Sequence, residues 1–214
     1  MHEYVTKAVV LDKATRGGEA DARYSFFTER YGKVTAKATS SRKIISKLAG
    51  HLEPGTLVAV RIIEQHGTKV VDALKITRVQ IGMRSLAALN ELLGEWEPDA
   101  EMWHELVAVV PSATEPKGTM LGKATFSWAR ALAILGWDPR EAVCANCGRG
   151  VASVASAGGD SASGNSRATA SSPAQHARYF SIPRQEFFCA ACAAPLSAAL
   201  RYNKSIRNHL ILVS

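Results

Sequence analysis

Lys33-Val34-Thr35-Ala36-Lys37-Ala38-Thr39 alternates without a break. Val34, Ala36 and Ala38 fall on one side, and Lys33, Thr35, Lys37 and Thr39 on the other. A period of two turns successive side chains to opposite faces, so the stretch predicts a half-buried strand with two lysines on its wet face. Upstream, residues 4–11 are rich in Val and Ala, and residues 23–28 form a second, aromatic run. Gly17 and Gly18 supply the turn between them, and Gly32 separates the second strand from the third. Downstream, residues 42–52 switch to a helical period, with Ile45, Leu48 and Leu52 three and four apart. Pro54-Gly55 breaks the chain, and residues 56–64 and 69–77 read as two more strands joined at His66-Gly67. Three strands, a short helix and two strands are the order of a five-stranded OB-type barrel over residues 1–78, with an SH3-like barrel as the alternative.

The β signal stops after residue 80. Leu86, Leu89, Leu93 and Trp96 make one helical stripe. Pro98 marks a second helix start, with Met102, Leu106 and Val109 following before Pro111. Leu121, Ala124, Trp128, Leu132 and Leu135 make a third stripe, ended by Gly136. A last candidate helix, residues 195–210, carries Ala199, Tyr202, Ile206 and Leu210. These stripes predict the packing faces of a helical domain, its first part at residues 79–143 and its last helix within residues 193–214. Strands first and helices afterwards make the expected class α+β, in more than one domain. Residues 151–177 hold 18 Ala, Ser or Gly among 27 positions, too little apolar surface to offset ordering, and read as a disordered insertion.

That insertion lies between two cysteine pairs, Cys144-Ala145-Asn146-Cys147 and Cys189-Ala190-Ala191-Cys192, which contain all four cysteines of the chain. Two thiolates three residues apart can face one ion, and two such pairs complete a tetrahedron for zinc. The pairs are 41 residues apart; without the 27-residue insertion the gap is 14, close to zinc-ribbon spacing. Residues 144–192 therefore predict a ribbon holding one structural Zn²⁺, with Gly148 making the tight turn after the first pair. Four protein ligands close the shell and leave no position for an activated water. A thioredoxin-type redox pair would require a strand-to-helix junction, and neither pair reads as one in the sequence.

The chain has 214 residues, 47% apolar and 21% charged, with a formal net charge of +7. Residues 1–78 carry 14 of the 26 cationic side chains beside 8 of the 19 acidic ones, so the barrel holds the excess. Lys33 and Lys37 share a strand face, and Ser40, Ser41, Arg42, Lys43, Ser46 and Lys47 follow at once. Cations interleaved with hydroxyls suit phosphate oxygens. Lys33, Lys37, Arg42, Lys43 and Lys47 are the expected phosphate contacts, with Arg16 and Arg23 in second rank. Tyr24, Phe26 and Tyr31 are candidates for stacking on bases, with barrel core as the alternative. Arg201, Lys204 and Arg207 either extend this surface or receive an acidic protein tail. No apolar run approaches the roughly 18 residues of a membrane span, and the charged first 25 residues lack a signal-peptide core, which points to the reducing cytoplasm. No catalytic motif accompanies His51, His66 or His104, so the expectation is not an enzyme.

Gly18-Glu19-Ala20-Asp21 and the run Phe27-Thr28-Glu29-Arg30-Tyr31-Gly32-Lys33-Val34-Thr35-Ala36-Lys37-Ala38 resemble the RecO family of bacterial recombination-repair proteins. Residues 131–148, with Gly136-Trp137-Asp138-Pro139 running into the first cysteine pair, resemble that family's helix-to-knuckle junction. The chain departs from the family at Ala38-Thr39, where a glycine usually follows, and at Gln185-Glu186, where a glycine pair usually stands. The resemblance implies an OB domain, a helical domain and an inserted four-cysteine zinc ribbon. It also implies binding of single- and double-stranded DNA, annealing of complementary strands, and loading of RecA together with RecR at the nucleoid. Contact with the acidic tail of single-stranded DNA-binding protein belongs to the same implication. The rival readings are a zinc-ribbon RNA- or ribosome-associated protein and a scaffold whose basic patch binds an acidic protein.

Overall fold

The computed structural model describes residues 1–15, 21–39, 48–110, 125–150, 178–202 and 210–213. They fall into two compact units, residues 1–126 and 127–214.

The first unit begins with β1 (His2–Ala14), β2 (Ala22–Thr28), β3 (Gly32–Ala38), β4 (Thr56–Glu64) and β5 (Thr68–Arg78). These are the five expected strands within two residues at most ends. They close in the order β1-β2-β3-β5-β4, which is consistent with the OB-type barrel. Closure is partial: β3 meets β5 through the single parallel pair Lys37 and Lys69. Alternation in β3 holds, with Val34, Ala36 and Ala38 buried and Lys37 exposed. Ala8, Val10, Tyr24, Phe26, Val34, Val58, Val60, Ile62 and Val70, drawn from all five strands, fill the interior. Leu48 and Leu52 pack there as expected, and Leu52 N–H donates to the Leu48 carbonyl in one helical turn. The rest of the expected 42–52 helix lies outside the described residues, as do Gly17-Gly18 and the 151–177 insertion.

Helices α1 (Met83–Leu92) and α2 (Ala100–Ala108) belong to this unit rather than to a separate helical domain. The reason lies in β1, which is buried on both faces from Ala8 to Leu11. Ala8 and Val10 point inward. Val9 faces the other way, in register with Phe27 of β2 and Leu57 of β4. That outer apolar face is buried, and α1 lies against β1. Asp99 caps α2, its side chain accepting from Met102 N–H at 2.9 Å.

Between the helices, residues 94–97 turn back onto β3. Glu95 bridges to Lys33 in parallel, and Trp96 N–H donates to the Lys33 carbonyl at 2.8 Å. The clip covers the part of the β3 edge that β5 leaves unpaired. Gly32, at φ 69°, lies so close to the Glu97 backbone that a Cβ there would collide with it.

The second unit holds α3 (Trp128–Ile134), β6 (Arg178–Ser181), β7 (Glu186–Cys189), α4 (Ala190–Tyr202) and β8 (Leu210–Val213). Its antiparallel sheet has the order β7-β6-β8. Two expectations are corrected here. The last helix begins at Ala190, with Pro195 inside it rather than at its start. Leu210 belongs to a strand, because Leu210-Ile211-Leu212-Val213 pairs along β6 and buries Ile211 and Val213. Phe180 anchors the core, with Trp137 at 5.3 Å and Phe187 at 5.0 Å between ring centroids. Among the described residues, no helix is long and apolar enough to cross a membrane.

Candidate functional site

The first cysteine pair sits in a tight hairpin. Val143 and Gly150 form an antiparallel bridge, Cys144 N–H donates to the Arg149 carbonyl, and Gly148 N–H donates to the Cys144 carbonyl, both at 2.8 Å. The turn needs a left-handed residue, and Gly148 supplies φ 67° as expected. Ala145 N–H donates to the Phe187 carbonyl at 2.9 Å, tying the hairpin to β7. Cys189 ends β7, and Cys192 lies in the first turn of α4. The second pair therefore does occupy a strand-to-helix junction, contrary to the sequence reading. What sets it apart from a lone redox pair is the company it keeps.

Cys144, Cys147, Cys189 and Cys192 bring their sulfurs within 4.8 Å of one another. The Sγ atoms of Cys147 and Cys189 are 3.9 Å apart. A tetrahedral ion with bonds of about 2.3 Å to sulfur separates its ligands by about 3.8 Å, so the set fits Zn²⁺. Burial pushes the Cys144 thiol up, but backbone hydrogen bonds from Cys189, Cys147 and Asn146 outweigh it and bring the group to about 6. The Asn146 side chain pulls Cys192 down, yet the neighbouring cysteines and burial together push it up to about 11. Asn146 also donates from Nδ2 to Cys192 Sγ at 3.3 Å, a contact that spacing alone does not disclose.

The basic residues of the barrel fare differently from one another. Arg23 is exposed on β2, directly across from Lys37 on β3. Lys37 is in turn opposite Lys69 on β5, so three exposed cations stand abreast across the seam. Asp21 pairs with Lys37 at 2.8 Å. Lys33 is engaged by its own protein: its ammonium donates to the Asn90 carbonyl at 2.9 Å and lies 3.7 Å from Glu95, with 12% of the side chain exposed. Arg16, Arg42, Lys43 and Lys47 lie outside the described residues. So do Lys204 and Arg207, while Arg201 falls within α4. Tyr24 and Phe26 are fully buried in the barrel core and cannot stack on bases. Tyr31 is half-buried against Tyr4. Lys69 was not legible as a site residue, because the parallel β3–β5 pairing joins distant positions and leaves no local pattern.

The sequence profile of the family described as "Recombination protein O N terminal" matches residues 1–79, the span of the barrel. The chain is 29% identical to the DNA repair protein RecO of Bifidobacterium adolescentis, a match covering 95% of this chain and 79% of the relative. It is 33% identical to the DNA repair protein RecO of Myxococcus xanthus over 69% of this chain and 65% of that protein. The RecO of Anaeromyxobacter sp. strain K is 28% identical over 65% of this chain and 59% of the relative. The chain thus spans between 59% and 79% of these relatives' length. With the barrel matched in full and the first relative matched along nearly the whole chain, the chain belongs to the RecO family.

Proposed function

We propose that this chain is a non-enzymatic DNA-binding mediator of recombination and repair, which grips phosphates on the barrel and brings complementary strands together. The observation that carries this reading is the row of Arg23, Lys37 and Lys69 across the β2–β3–β5 seam. Three cations in register neutralise successive phosphates and release their counterions, which gives affinity without reading sequence. Lowering the charge on two strands held side by side reduces their repulsion, while base pairing still selects the partner. Arg16, Arg42, Lys43 and Lys47 extend the grip in this reading, and Lys33 joins it if DNA draws its ammonium away from Asn90 and Glu95. The shared description of the relatives as DNA repair proteins supports the process assigned.

In the same reading the four cysteines hold one Zn²⁺. Bound there, the ion supplies a closed structural cross-link and no open position for a reacting water. Cys144 and Cys147 tie the hairpin, Cys189 and Cys192 tie the β7–α4 junction, and Asn146 holds Cys192 in place. The chain then acts in the cytoplasm, at the nucleoid, assisting RecA loading together with RecR. Arg201, Lys204 and Arg207 offer charge for the acidic tail of single-stranded DNA-binding protein.

The test is annealing of complementary single strands, comparing the wild type with Lys37→Ala plus Lys69→Ala and with Lys43→Ala plus Lys47→Ala. The reading expects a slower rate in both pairs. An unchanged rate in both would sink it, and tighter binding to RNA than to DNA of the same sequence would favour an RNA-associated role.

A further inference from the structure

Trp96 stands in a backbone conformation that a bulky side chain disfavours. Its φ is 61°, in the left-handed region where glycine sits without steric cost. The turn itself has a purpose, since it lets Trp96 N–H reach the Lys33 carbonyl and clip residues 94–97 to β3. Glycine would make that turn with less strain, so the clip does not account for the indole. Burial does not account for it either: Trp96 is 40% exposed, against 5% for Trp103 in α2. Strain kept at an exposed aromatic is the pattern of a side chain held for an outside contact.

The indole belongs to a cluster. Its ring leans on Tyr4 at 5.3 Å and 53°, and Tyr4 meets Tyr31 edge-on at 4.9 Å. Both tyrosines pack on the barrel core beneath, which gives the rings a firm base. Carboxylates lie next to members of this cluster, by hydrogen bond or in the chain. Glu64 accepts the Tyr4 hydroxyl at 2.8 Å, and Glu95, with its side chain 46% exposed, accepts the Thr35 hydroxyl at 2.7 Å. The Glu97 carboxylate folds back over Gly94. Lys33, the cation nearest the clip, is occupied by Asn90 and Glu95. Arg30 is exposed in the turn beside Tyr31. On a protein of net charge +7, this corner is acidic and aromatic. Electron-rich ring faces with carboxylates beside them attract a cationic side chain and repel phosphate.

We propose that Tyr4, Tyr31 and Trp96, with Glu64 and Glu95, form a docking site for an arginine or lysine side chain from a basic segment of a partner protein. The proposal does not depend on the Arg23–Lys37–Lys69 row gripping DNA. The test uses the full chain with ¹⁵N-labelled tryptophan, whose four indole N–H signals are assigned with Trp96→Phe. The probe is a ten-residue peptide of alternating arginine and glycine; the controls are a glutamate–glycine peptide and oligothymidylate. The Trp96 signal is expected to shift saturably with the arginine peptide alone. Glu64→Gln plus Glu95→Gln keeps the hydrogen-bond acceptors and removes two charges, and should weaken binding roughly fivefold or more while the other indole signals stay in place. A Trp96 signal unmoved at millimolar peptide, unchanged affinity in the double variant, or a shift produced by either control would overturn the proposal, the oligothymidylate shift marking base stacking instead.

Discussion

The two compact units are stabilised by different means. The barrel unit draws core residues from every strand and buries a second apolar face beneath α1, so its stability is spread over many side chains. The unit of residues 127–214 has a three-stranded sheet around Phe180, with four cysteine sulfurs gathered at one place. Small cores rarely sustain a fold alone, and in the proposed reading a metal cross-link at these sulfurs supplies what the side chains lack. The contrast teaches that one unit should tolerate the loss of any single contact, whereas the other should depend on a single ion.

Chelation breaks the comparison most sharply. Structural zinc contributes on the order of 10 kcal/mol to small domains of this kind. Stripping metal with a strong chelator, or substituting Cys189→Ser, should abolish the cooperative melting of the second unit. The β signal of the barrel in circular dichroism should survive. Loss of both signals together would show that the barrel also relies on the ion. Metal analysis of freshly purified protein should find about one zinc per chain.

Truncation comes next. A fragment of residues 1–78 exposes Val9, Leu11, Phe27 and Leu57, each worth about 2 kcal/mol when buried. Their sum rivals the entire stability of an ordinary domain. The fragment should therefore fail to melt cooperatively, while residues 1–126 should do so; equal transitions would mean that α1 and α2 are ornaments on the barrel.

Gly32→Ala tests the clip. The left-handed φ and the Glu97 backbone both oppose a Cβ, for a loss of about 2–4 kcal/mol read by denaturant melting. A smaller cost would mean that residues 94–97 lift away easily.

Much of this was legible in the sequence, and unevenly so. The alternation from Lys33 to Thr39 placed β3, because a half-buried strand writes its two faces into neighbouring residues. The pairs Cys144–Cys147 and Cys189–Cys192 announced themselves by spacing, and the fold brings all four together. Long-range pairing was silent. Nothing local says that Lys69 meets Lys37, or that Glu95 and Trp96 return to Lys33. Leu210 follows a helical stripe closely enough to read as its end, until the pairing of residues 210–213 with β6 decides otherwise. Of the two readings of Tyr24 and Phe26, barrel core holds and base stacking does not, because aromatic residues in a narrow barrel are what fills it.

The smallest effect concerns Gln185. It stands directly before β7, and its φ is 55°. Gln185→Gly should relieve that strain and raise stability of the second unit by about 0.5–1 kcal/mol, as a higher melting temperature of the metal-loaded protein. A lower melting temperature would mean that the glutamine side chain holds the turn.

The central claim is that the row Arg23–Lys37–Lys69 holds DNA through phosphates, and the salt dependence of single-strand affinity tests it most directly. Each phosphate contact contributes about 0.7 to the slope of log affinity against log salt. Lys37→Ala plus Lys69→Ala should therefore flatten the slope by about 1.4 and weaken binding to all sequences alike. A slope that stays the same in the double variant would contradict the account.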